Sequence, residues 1–90
     1  MNRKALAAAA LLLGRREETL IHARRSLEEA QRLRFRPEVA LAHLQLAELL
    51  MAEAVTEAQT HLDTAIDEFR AMKMQPSLER ALKHKGLLRA

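Results

Sequence analysis

Apolar residues recur along most of this chain at steps of three and four, and the rhythm is broken at few places. After Glu17 the apolar positions are Leu20, Ala23, Leu27, Ala30 and Leu33; after Thr56 they are Ala58, Leu62, Ala65, Ile66, Phe69 and Met72. Each set falls on one face of an α-helix. The stretch from Pro37 to Ala54 is apolar nearly all round, which suits a helix packed between neighbours. Gly14, Pro37, Pro76 and Gly86 punctuate the pattern. A proline is tolerated in the first turn of a helix, where its missing N–H costs nothing. Thr56 and Gln59 have the spacing of a capping box, and Ser77 reads as an N-cap. These signals predict five helices, roughly 3–14, 17–34, 37–54, 56–74 and 77–89. Leu62, Ile66 and Phe69 form the expected core of the fourth.

The pattern also repeats. "HARRSLEEAQRLRFRPEVALA" aligns without a gap to "HLDTAIDEFRAMKMQPSLERA", His22 falling on His61, so the offset is 39 residues. Leu27 then falls on Ile66, Glu29 on Glu68, Arg34 on Lys73, Phe35 on Met74 and Pro37 on Pro76. Upstream, Ala8 falls on Ala47 and Leu11 on Leu50. A helix pair recurring at such a period is the sequence sign of a stacked α-solenoid. The register also interprets the opening "MNRKALAAAALLLG", which has the look of a secretory leader. Its "ALAAAALLLG" occupies the place that "LQLAELLMAE" holds in the second unit, and no A-x-A cleavage site follows its apolar run before Arg15–Arg16. It is read as the first helix of a repeat.

The two units resemble tetratricopeptide (TPR) repeats. "LLLGRREET", Ser26 and Pro37 match that pattern in the first, and "MAEAVTEA", Ala65, Phe69 and Pro76 match it in the second. "RPEVALAHLQLAELL…EAQTHLDTAIDEFRAMKMQPSLERAL" resembles the TPR-like C-terminal region of large bacterial signalling ATPases and transcriptional activators. Glu53 stands where the family has glycine, and Ala10 and Leu49 where tryptophan is common. The resemblance implies an all-α fold, a short solenoid of antiparallel helix pairs forming one domain over 1–90. Repeat one is 3–36, repeat two 37–75, and the capping helix 76–90.

Composition agrees with helix and removes most chemistry. Ala, Leu, Glu and Arg dominate; there are two Gly, two Pro, two Phe, no Trp, no Tyr and no Cys. No disulfide or thiolate metal site is open to such a chain, and no apolar run approaches the roughly 20 residues of a membrane span. Among four histidines, His22 and His61 each follow a glutamate by four residues (Glu18, Glu57), which predicts an i,i+4 contact, and His43 and His84 stand alone. No metal-ligand spacing, phosphate loop or nucleophile motif is present, so no catalytic, cofactor or metal residue is assigned. Arg25, Arg32 and Arg36 share a helix face with Arg15, Arg16 and Arg24 nearby. Interleaved Glu28 and Glu29, and the lack of aromatics, make that face a salt-bridged surface before a nucleic-acid one.

These readings lead to a non-enzymatic, cytoplasmic protein-interaction module binding a peptide or partner helix. The stripe expected to line its groove is Lys4, Ala8, Leu11 and Arg15 in the first unit, His43, Ala47, Leu50 and Ala54 in the second, and Leu82 and Arg89 in the last helix. The alternative is a capping fragment of a longer array in a bacterial regulatory protein; nucleic-acid binding through the basic first repeat has less support. Charge alternates along the chain: residues 1–37 hold nine Arg or Lys and four Glu, 38–76 two basic and seven acidic residues, and the remainder is basic again. Complementary patches of this kind predict a homodimer with basic first units near acidic second units.

Overall fold

Four helices in chain order, α1 (Arg3–Leu33), α2 (Arg36–Leu50), α3 (Val55–Ala71) and α4 (Gln75–Arg89), make up the fold, with no strand among the described residues. The computed structural model describes residues 3–89, with side chains described for residues 11–88. Each helix packs on the next, and α2 also touches α4, whereas α1 approaches neither α3 nor α4 closely along the backbone.

Five helices were expected and four are found, because α1 runs straight through Gly14. One glycine inside a helix costs about 1 kcal/mol, too little to stop a run of Leu, Arg and Glu that has other reasons to stay helical. Two of the three stops share one local device. Arg34 and Lys73 both adopt the left-handed conformation, with φ of 55° and 57°. In the first turn the Phe35 N–H donates to the Ala30 carbonyl and Arg34 N–H to Gln31; in the second, Met74 N–H donates to Phe69 and Lys73 N–H to Arg70. This paired bonding is the Schellman motif, followed in each case by a proline in the next helix's first turn. The two turns lie 39 residues apart, so at this point the sequence repeat is also one of backbone geometry, whereas residues 12–15 of α1 stay helical where 51–54 turns.

The helix starts differ from expectation. Residue Ala54 precedes α3 and no side chain caps it, so the Thr56–Gln59 capping box is not made; α4 begins at Gln75, which puts Ser77 inside the helix. The turn at 51–54 holds no glycine or proline. Its backbone closes with the Glu53 and Ala54 N–H groups donating to the Leu50 carbonyl.

The core sits between α2, α3 and α4. Ala40, Leu44 and Ala47 of α2 meet Leu62, Ala65, Ile66 and Phe69 of α3, with Leu78 and Ala81 of α4 closing the other side. Phe69, Leu62 and Leu46 are the largest fully buried side chains. A smaller cluster joins Ala23 and Leu27 of α1 to Ala42 and Leu46 of α2. Thus α2 is buried on two sides, which explains its nearly uniform apolar character.

Ion pairs tie the outer helices to the acidic middle. Arg16 bonds Glu53 at 3.0 Å, Arg24 bonds Glu57 at 2.7 Å, and Arg36 bonds Glu68. From the other end Arg80 reaches Glu48 at 2.7 Å and Lys85 reaches Asp63 at 2.9 Å. The alternation of charge that suggested pairing between chains is therefore used within one chain. Arg16 also donates to the Leu49 carbonyl, one of the acceptors that the end of α2 leaves open.

At 31 residues α1 is roughly 46 Å long, twice the length of α2. Among the described residues, Arg16 is the first of α1 to bond the end of α2 and the turn after it. Leu11, Leu12 and Leu13 are 56%, 65% and 60% exposed. The radius of gyration of 15.2 Å exceeds the about 12 Å expected for a chain of this length for the same reason. No helix among the described residues is long and apolar enough to cross a membrane.

Candidate functional site

A groove of about 460 Å³ opens along α1 and reaches Glu38 at the start of α2. His22, Arg25, Ser26, Glu29 and Leu33 form its floor, one helical stripe on the side of α1 turned away from α3, and Phe35 stands at its end. The Schellman turn at Arg34 aims Phe35 there. Leu33 and Phe35 are 61% and 54% exposed, a large apolar exposure beside a small-residue floor.

The 39-residue repeat explains why the floor is shaped this way. His22, Ser26, Glu29 and Leu33 correspond to His61, Ala65, Glu68 and Met72 on α3. That face of α3 is covered by α2: His61 meets His43, Arg36 bonds Glu68, and Ala65 is fully buried. On α1 the corresponding face has nothing over it among the described residues. Ser26 is exposed where Ala65 is closed over. A helix resting on Ala65 can approach closely because that residue is small, and Ser26 keeps the same allowance open on α1.

Electrostatics at the covered site show what the open one can do. The Arg36 guanidinium bonded to Glu68 holds that carboxyl below the usual carboxylate range. At the α2–α3 junction His43 and His61 place their Nδ1 atoms 2.9 Å apart, one ring donating and the other accepting, with ring centroids at 5.1 Å. Burial, and then the nearby His61, push His43 below its ordinary value. His61 Nε2 also lies 3.6 Å from Glu57, the i,i+4 contact expected from spacing. Among the described residues, no ion pair forms between the equivalent Glu18 and His22. His84, read as isolated, is held by Glu48 at 2.7 Å beside Arg80. No group of three His, Asp or Glu among the described residues converges as a metal site would require.

The stripe expected to line a groove is divided by the structure. Ala47 and Leu50 are in the core, fully or almost fully buried, and His43 is half-buried against His61. Ala47 belongs to the α2–α3–α4 core, and none of the three lines the groove on α1. Ala54 is half-buried in the α2–α3 turn, and Leu82 is 38% exposed on α4. Leu11 and Arg15 are exposed and continue the floor of the α1 groove toward the N-terminus. Lys4, Ala8 and Arg89 lie outside the residues whose side chains are described. Reading the open groove from sequence required one further step: noticing that a unit whose first helix fails to fold back leaves its second helix uncovered.

Comparison with family models, curated proteins and solved structures returns no match. The functional reading accordingly stands on this geometry.

Proposed function

We propose that the chain is a non-enzymatic interaction module, a short TPR-like stack of helix pairs whose α1 groove takes a partner helix. The observation that carries this reading is the correspondence of two faces. On α3 the stripe His61, Ala65, Glu68 and Met72 receives α2; on α1 the same stripe is open and flanked by exposed Leu33 and Phe35. An amphipathic helix with small or aliphatic contacts and a cationic first turn fits that slot, as α2 with Arg36 fits the other.

The intact chain used as bait at two salt concentrations tests this, beside a Ser26→Arg variant that fills the floor. Helicity of the variant should be unchanged, since Ser26 is exposed, while groove-dependent partners should be lost. A bound set indifferent to Ser26→Arg would remove the reading. Binding dominated by nucleic acid would show a steep salt dependence instead.

A second reading, the terminal unit of a longer helical array, is favoured by the exposed Leu11–Leu13 run. Under it the occupant of the groove is the neighbouring repeat.

A further inference from the structure

We infer that the α1 groove takes α4 of a second copy of this chain, so that copies join head to tail. This rests on the groove reading above and names its partner. The helices themselves follow the 39-residue repeat: α4 (Gln75–Arg89) covers the residues of α2 (Arg36–Leu50) shifted by 39, and it lies on α3 as α2 lies on α1. But α2 also has α3 as a neighbour, which it meets through Ala40, His43, Leu44 and Ala47. The corresponding face of α4, with Glu79, Leu82, Lys83 and Gly86, is exposed and has no helix over it among the described residues. So α1 lacks the helix that α2 is to α3, and α4 lacks the helix that α3 is to α2. Within one chain α1 and α4 do not meet. Between two copies they can.

The covered slot fixes the register. In it Arg36 meets Glu68 and His43 meets His61. Carried over by the repeat, this sets Leu82 of one copy on His22 of the next, Glu79 on Arg25 and Gln75 on Glu29. Gln75 stands where α2 has Arg36, and Arg32 already meets the charge of Glu29. The turn before α4, with Met72 and Met74, comes level with Leu33 and Phe35 at the end of the groove. The contact between α2 and α4 carries over in the same way. There Glu48 bonds Arg80; across the junction the equivalent residues are Leu87 and Leu41, which covers the exposed Leu87. Lys83 comes level with Glu38, which lines the groove. Where the junction differs from the covered slot, both sides therefore differ together. Ala40 beside Thr64 becomes Glu79 beside Arg25, and the ion pair Glu48–Arg80 becomes a pair of leucines. Arg25, Glu38, Glu79 and Lys83 have no ion-pair partner within the chain among the described residues. One like-charge approach, Glu18 to Asp63 in the place of Glu57 and Arg24, is moderated by Lys85, which holds Asp63. The contact joins two different faces and does not close on itself, so it builds a growing stack of copies.

Sedimentation velocity of the full chain across concentration tests the inference. The mass should rise past that of a dimer as concentration rises. Ser26→Arg fills the groove and Leu87→Glu charges the outer face of α4. Each should raise the dissociation constant about ten-fold or more with helicity retained, since both residues are exposed. Mixed in equal amounts, the two variants should form a heterodimer and stop there, because only one sound junction can form between them. Arg25→Glu and Glu79→Arg should each weaken assembly, and the two in one chain should restore it. A monomer at every concentration overturns the inference, as does a dimer that grows no further, or a mixture of the two blocked variants that stays monomeric. A monomeric chain that still captures another protein in a Ser26→Arg-sensitive way would end self-assembly and leave the groove reading standing. Loss of both would end both.

Discussion

Phe69 and His43 show how much a single residue decides in so small a core. Phe69 is fully enclosed by α2, α3 and α4. Removing its ring leaves a cavity that three short helices cannot collapse around. Phe69→Ala should cost roughly 3–5 kcal/mol in denaturant unfolding. His43 gives the interface between α2 and α3 a pH dependence. Its folded pKa is depressed below 6.5 by burial and by His61, with Glu68 opposing. The unfolded chain therefore binds the proton more readily, and stability rises with pH through the window between the two values. The contribution of His43 is complete above about pH 6.5 and is lost as pH falls toward the folded value. Thermal unfolding from pH 8 down to 5 should show that loss, and His43→Leu should flatten it.

Two of the three turns between helices combine a left-handed residue with a proline just beyond it, and each rests on one residue's backbone conformation. Lys73 holds a conformation that costs an L-residue about 1–2 kcal/mol. Lys73→Gly should stabilise the chain by up to about 1 kcal/mol, whereas Lys73→Ala, which keeps a Cβ, should gain nothing. Gly14 behaves in the opposite way. It is helical, its φ is not positive, and a Cβ there would meet nothing within 4 Å. Gly14→Ala should therefore raise helicity and stabilise α1 by about 0.5–1 kcal/mol. A drop in helicity would show that residue 14 turns in solution and that the first helix folds back, as the periodicity alone suggests.

For the whole molecule, the order of charge along the chain organises the stack. Acidic α2 and α3 lie between basic α1 and α4, and among the described residues ion pairs join α1 to α3 and to the α2–α3 turn, α2 to α3, and α4 to both. Most are exposed, so each contributes little and is screened by salt. Glu48 is the exception worth testing, since it receives both Arg80 and His84 while only 22% of its side chain is exposed. Glu48→Ala should free the C-terminal half of α4 first. Amide exchange at residues 82–88 should speed up while the α2–α3 core stays protected.

Much of this could be read from residue order. Helical periods, the buried stripe of α3, the two proline-marked turns and the 39-residue register are local or short-range features, and each is written in side-chain spacing and propensity. The turn at 51–54 is different: periodicity carries the second helix to 54, and the Thr56–Gln59 spacing that suggests a helix start forms no cap. Other features depended on which surfaces meet. Whether Gly14 breaks a helix is a contest between about 1 kcal/mol of propensity and the packing that a fold-back would bring, and propensity cannot show the outcome. His43 and His61 are eighteen residues apart, and only the α2–α3 hairpin brings their rings together. Ala47 and Leu50 look like groove residues in the alignment, but α2 has neighbours on two sides and buries them. The open slot on α1 exists for the complementary reason. Its spacing matches that of a covered face, and only the path of the chain determines that nothing from the same copy lies over it.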